Sequence, residues 1–216
     1  MNSEEVARYL HDHPEFFDQY ADLLALVTIP DPHTGRAISI TERQLFVLRE
    51  KVRTLEAKMG ELIGFGEEND AISNKVHALS VALTAATDIA GVTRALYSHM
   101  GGAFAVPHVA LRLWGAGSGS GHEFDAVSPA AKIFGSSLHR PYAGLAAGHE
   151  ALAWFGESAA HLRSLAQVPL RETGGACFGL LVMGSEDPHR FYPELGTLYL
   201  ERIGELAAAA LLRVSA

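Results

Sequence analysis

Apolar positions line one face of the N-terminal half of the chain. Leu45, Leu48, Val52, Leu55, Met59 and Leu62 alternate three and four residues apart. That spacing gathers side chains into one stripe of a helix and calls for a second helix to cover it. A second stripe, Phe65, Asn69, Ile72, Val76, Leu79 and Leu83, resumes three residues after Leu62 rather than four. Gly60, Gly64 and Gly66 flank the change of register. Each costs about 1 kcal/mol of helix propensity relative to Ala, so a kink or a break between two helices is expected there. Asn69 falls in the stripe. Against a partner helix it would fix register at a cost in stability, and beyond a kink it would face water.

The flanking pattern supplies the rest of the architecture. Residues 3–27 read as a small helical cap, with Pro14 opening a second helix and Val6, Leu10, Phe16, Phe17 and Leu23 apolar, a piece too small to hold a core alone. Residues 28–38, with Pro30, Pro32 and Gly35, read as a connector. Ser39 followed three residues later by Glu42 is a capping-box signature for the long helix. From residue 88 the period changes. Asp88 caps a helix bearing Ile89, Val92, Leu96 and Met100 on one face, and HVALRLW after Pro107 alternates as a strand. LAQVPL at 165–170 and ACFGLLVMG at 176–184 read as two strands joined by the RETGG turn, before a C-terminal helix carrying Leu198, Ile203, Leu206 and Leu211. The order describes an α+β protein: residues 1–86 form the helical cap and long heptad-patterned dimerisation helices, and residues 87–216 form a compact α+β domain.

Composition narrows the partners. The 216 residues are 48% hydrophobic and 19% charged, which fits a folded chain rather than a disordered one. A formal charge of -8 disfavours nucleic acid. The cations Arg43, Arg49, Lys51, Arg53 and Lys58 are interleaved with Glu42, Glu50 and Glu56, the mixed surface of a solvated helix. No run approaches the roughly 20 apolar residues of a membrane span. The acidic opening MNSEEVARYL does not read as a signal peptide. A cytoplasmic location is expected. The single cysteine, Cys177, rules out an intrachain disulfide framework.

Several separated segments resemble one family. PHTGRAISITERQLFVLREK at 32–51, followed by the leucine-rich stripe, looks like the N-terminal signature of the proteobacterial domain-of-unknown-function 484 family. HRPYAGL at 139–145, VPL at 168–170 and GLLVMGSEDPHRFYPELGTLYL at 179–200 resemble its C-terminal portion. The resemblance implies a GAF-like domain, a central antiparallel sheet flanked by helices, preceded by helices that mediate dimerisation. It carries no established activity. Members often have a cysteine before the glycine of the HRPYAGL segment, where this chain has Ala143, so no mechanism resting on a thiol there applies.

Candidate chemistry is sparse. Eleven histidines include His11 and His13, two apart, and His33 beyond the connector, but no HExxH or i, i+4 ligand pair occurs, so no metal is expected. Asp187 and Pro188 make His189 part of a turn. Gly115, Gly117, Gly119 and Gly121 alternate with small residues but lack both the Walker ending and the strand–turn–helix context of a dinucleotide fingerprint. They read as a hairpin tip. Cys177, between Ala176 and Phe178 in an apolar strand, reads as buried. The stretch 134–155 mixes aromatic rings with polar tips and offers Phe134, His139, Tyr142 and Trp154 as pocket-wall candidates. The preferred reading is that Phe134, Trp154 and Phe155 complete the core of the small domain while the histidines face water. Arg112, alternating with apolar residues, either reaches an anionic ligand or points outward.

These observations lead to a regulatory or scaffold protein without catalytic activity. It is expected to be a homodimer through Leu45, Leu48, Val52, Leu55, Met59 and Leu62, and to sense an unidentified small molecule through its GAF-like domain, with no cofactor and no membrane partner. The alternative is an enzyme on the same scaffold using Cys177 and a neighbouring histidine.

Overall fold

The computed structural model describes residues 2–30, 37–115, 119, 121–172 and 175–215. His33 and Gly35 of the connector, Gly117 of the glycine-rich loop, and Thr173 and Gly174 of the RETGG turn lie outside the described residues. Contacts divide the chain into two units, Met1–Glu67 and Glu68–Ala216.

The N-terminal unit opens with three short helices, α1 (Ser3–Asp12), α2 (Glu15–Gln19) and α3 (Ala21–Leu26). Asn2 and Glu5 form a reciprocal capping box at the start of α1, satisfying two N–H groups that a helix start otherwise leaves orphaned. Strands β1 (Thr28–Pro30) and β2 (Ala37–Ser39) pair antiparallel. Helix α4 (Ile40–Ala85) follows. The Ser39–Glu42 capping box is present, with Ser39 N donating to Glu42 Oε2 at 3.0 Å and Glu42 N donating to Ser39 Oγ at 3.1 Å.

Two features of α4 correct the sequence reading. The helix runs through Gly60, Gly64 and Gly66 without the expected interruption. Three glycines weaken it by about 1 kcal/mol each, but a break would orphan several backbone donors and acceptors on each side. The stripe then divides by environment. Leu45, Leu48, Val52, Leu55, Met59 and Leu62 are between 45% and 69% exposed. Val76, Leu79 and Leu83 are at most 8% exposed and lie in the core of the C-terminal unit. The Asn69 side chain is exposed, and its carbonyl accepts a hydrogen bond from Tyr199 Oη at 3.0 Å.

The C-terminal unit is an antiparallel sheet flanked by helices. Asp88 caps α5 (Ile89–Gly101) by accepting from Gly91 N at 2.6 Å. Strands β3 (His108–Leu113), β4 (Tyr142–Leu145), β5 (Ser164–Arg171) and β6 (Cys177–Ser185) form a sheet of order β3-β6-β5-β4, every neighbouring pair antiparallel. Helix α6 (Pro129–Ser137), a 3-10 stretch over Glu150–Ala160, and α7 (Leu198–Ser215) complete the unit.

Alternation along each strand sorts side chains to two faces. Leu111, Ala166, Val168, Leu181 and Met183 share the principal core with the second part of α4, with α5 and with α7. Leu165, Leu180 and Val182 point to the other face, into a smaller core with Ala146, Ala151 and Leu162. Helix α6 and the 3-10 stretch cover that second face. Among the described residues no helix is long and apolar enough to cross a membrane.

Candidate functional site

The second face of the sheet carries most of the polar chemistry. In the register, Arg112 lies opposite Leu180, and Gln167 lies between Tyr142 and Val182. These positions are fixed by alternation within strands that are otherwise nearly all apolar.

Arg112 has only 11% of its side chain exposed. Its guanidinium donates to the Leu111 carbonyl at 3.0 Å, lies 3.5 Å from the Asp125 carboxylate and sits 5.3 Å from the centre of the Trp154 ring. It is therefore held by charge on one side and by a π-face on the other. His122 shares the same carboxylate, with Nδ1 3.1 Å from Asp125 Oδ2. On α5, burial pushes the Tyr97 phenol up to about 12, with the nearby Glu123 carboxylate adding to the shift.

A second cluster is aromatic. The Phe134 ring meets Tyr142 at 6.4 Å and His149 at 5.4 Å, and the Tyr142 and His149 rings lie 4.4 Å apart. Gln167, 1% exposed, donates from Nε2 to His149 Nδ1 at 2.9 Å. Accepting there places the imidazole proton on Nε2. Burial lowers the pKa of His149 and raises that of Tyr142, so both are biased towards their neutral forms.

His139 lies apart from both clusters. It lines a groove of about 580 Å³ together with Pro141, Arg171, Glu201, Glu205 and Leu212. The Arg171 guanidinium is committed there to the carbonyls of Gly135, Ser136 and Leu138, at 2.7–3.2 Å, closing the end of α6. The structure thus joins Arg112 to Trp154 and Phe134 to Tyr142, and places His139 elsewhere.

Cys177 is 7% exposed, and its thiol donates to the Gly179 carbonyl at 3.2 Å. Burial pushes its pKa up, leaving little thiolate at neutral pH. As the turn reading of the sequence expected, Asp187 Oδ1 accepts from His189 N at 2.8 Å. Among the described residues no group of three His, Cys, Asp or Glu side chains is placed to hold a metal.

Sequence reasoning did not single out Gln167, and it did not pair Asp125 with Arg112. Gln167 had a signal, a long amide in the middle of an apolar strand that must find a buried partner. The Asp125–Arg112 pair had none, because only the fold brings that loop to Arg112.

Residues 1–215 match the model of a family described as protein of unknown function, DUF484. The chain is also similar to the uncharacterized protein YigA of Salmonella typhimurium, a proteobacterium, with 26% identity over 212 residues. That similarity covers 94% of this chain and 88% of the relative.

Proposed function

Since this chain belongs to the DUF484 family, whose description carries no activity, we propose that it is a non-catalytic, cytoplasmic regulatory or scaffold protein. It works as a homodimer paired through the first part of α4, and its C-terminal unit is a GAF-like sensor of a small molecule. The observation that carries this reading is the exposure of the heptad stripe. Six apolar side chains from Leu45 to Leu62 are at least 45% exposed on consecutive turns of one helix face. Monomeric proteins seldom leave so continuous an apolar surface in water, and heptad spacing selects a helix as its cover.

The sensor part is supported by the layout of the C-terminal unit. One face of its antiparallel sheet is packed by helices, and the other bears Arg112 and Tyr142 under a short helix and the 3-10 stretch that carries Trp154. A largely enclosed guanidinium beside an indole suits a ligand with an anionic group and a flat apolar part. The buried Cys177 thiol weighs against a mechanism built on that residue.

Native mass spectrometry of gently purified protein tests the proposal. The expected species has twice the 23.2 kDa chain mass and carries a small molecule that denaturation releases. A ligand-free dimer would favour the scaffold role over the sensor. A monomer throughout the micromolar range would remove the dimer.

A further inference from the structure

A cavity of about 440 Å³ opens within the C-terminal unit on the helix-packed side of the sheet, away from Arg112 and Trp154. Its floor is apolar and buried: Met100, Met183, Phe191 and Ile203 are at most 5% exposed. Ile72 of α4 and Leu200 of α7 add apolar wall. Phe104 and Val106 also line it. Both are brought there by Ala105, which has φ +52, a left-handed conformation that a residue with a Cβ adopts only under constraint. Tyr199 closes one side, its hydroxyl 2.8 Å from Ser73 Oγ and donating to the Asn69 carbonyl.

The rim is charged. Arg190 donates from Nη2 to the Phe104 carbonyl at 2.6 Å, which fixes the guanidinium at the edge of the cavity. Neither Arg190 nor Lys75 forms an ion pair among the described residues. The rim also carries one carboxylate, Glu68, equally without an ion-pair partner. It lies two helical turns from Lys75, roughly 10 Å along α4, and leaves a net excess of positive charge.

We propose that this cavity binds a medium-chain aliphatic carboxylate. The alkyl chain lies on the floor, where two methionines adapt to a flexible chain, and Lys75 and Arg190 take the head group. The volume is that of a small-molecule site.

Isothermal titration of the full chain with octanoate tests this, with octylamine as the same chain bearing the opposite charge. Octanoate is expected to bind with one site per chain, and octylamine at least tenfold more weakly. The double substitution Lys75→Glu, Arg190→Glu lowers octanoate affinity at least tenfold. Lys75→Gln, at an exposed position without a partner, lowers it several-fold with an unchanged circular dichroism spectrum. Ala71→Trp, which fills the cavity from the exposed side of α4, abolishes binding. No octanoate binding at millimolar concentration, equal affinity for both head groups, or full binding by Ala71→Trp would overturn the proposal. The test is independent of dimerisation, because no residue of the Leu45–Leu62 stripe lines the cavity.

Discussion

His149 is held neutral by two separate causes. Burial penalises its charged form, and its Nδ1 is occupied in accepting from the buried Gln167 amide. A folded-state pKa below the ordinary value of 6.5 means that the unfolded chain takes up the proton first as pH falls. Stability is therefore undiminished above about pH 6.5, declines below it, and levels off beneath the folded pKa. Urea midpoints between pH 7.5 and 5.5 should fall more steeply for the native sequence than for His149→Phe. Identical slopes would show that His149 is not the group responsible. Cys177 gives a second residue-scale expectation. Its thiol should react with a disulfide reagent at pH 8 at least tenfold more slowly in the folded chain than in urea. The apolar strand pattern around Cys177 disclosed its burial, but not Arg171, which lies opposite it in the β5–β6 register. Nothing in the sequence disclosed the Gln167–His149 pair, whose members lie on different elements.

Among the elements, α7 is docked by absence of volume. A Cβ on Gly204 would come within 2.5 Å of Val168 Cγ1, so Gly204→Ala should cost about 1–3 kcal/mol by forcing helix from strand, measured by equilibrium denaturation. Arg213 of α7 donates to the carbonyls of Leu83 and Ala86 at 3.0 and 2.7 Å, closing the C-terminus of α4. Arg213→Ala should cost about 1–2 kcal/mol, because those carbonyls lose a charged donor. Elements with strong periodicity or caps were legible: the alternation of β3, the apolar runs of β5 and β6, and the Asp88 and Ser39 caps all appear where the residues place them. Strand β4 was not. It has four residues with Gly144 among them, too short to show a period and lacking a side chain at one position. Its pairing with β5 supplies what local sequence does not. The continuity of α4 was misread for a related reason, since propensity counts the glycines and omits the hydrogen bonds that a break would forfeit.

Across the whole molecule, the same heptad pattern serves two destinations. Leu79 and Leu83 are spent on the core of the C-terminal unit, whereas Leu48 and Leu55 remain 59% and 61% exposed. Periodicity identified both sets as buried-type positions but did not say which bury within the chain, because the spacing is the same. In the proposed dimer, a second copy of the chain covers the exposed set. Fully burying a leucine contributes about 1.5–3 kcal/mol, and an aspartate in its place would require desolvating a charge. Sedimentation velocity at micromolar concentration should find the native sequence at twice the 23.2 kDa chain mass. The Leu48→Asp, Leu55→Asp variant should sediment as a folded monomer, with His139→Ala unchanged from the native dimer. A double variant that remains fully dimeric, or a native sequence that sediments as a monomer, would contradict the account.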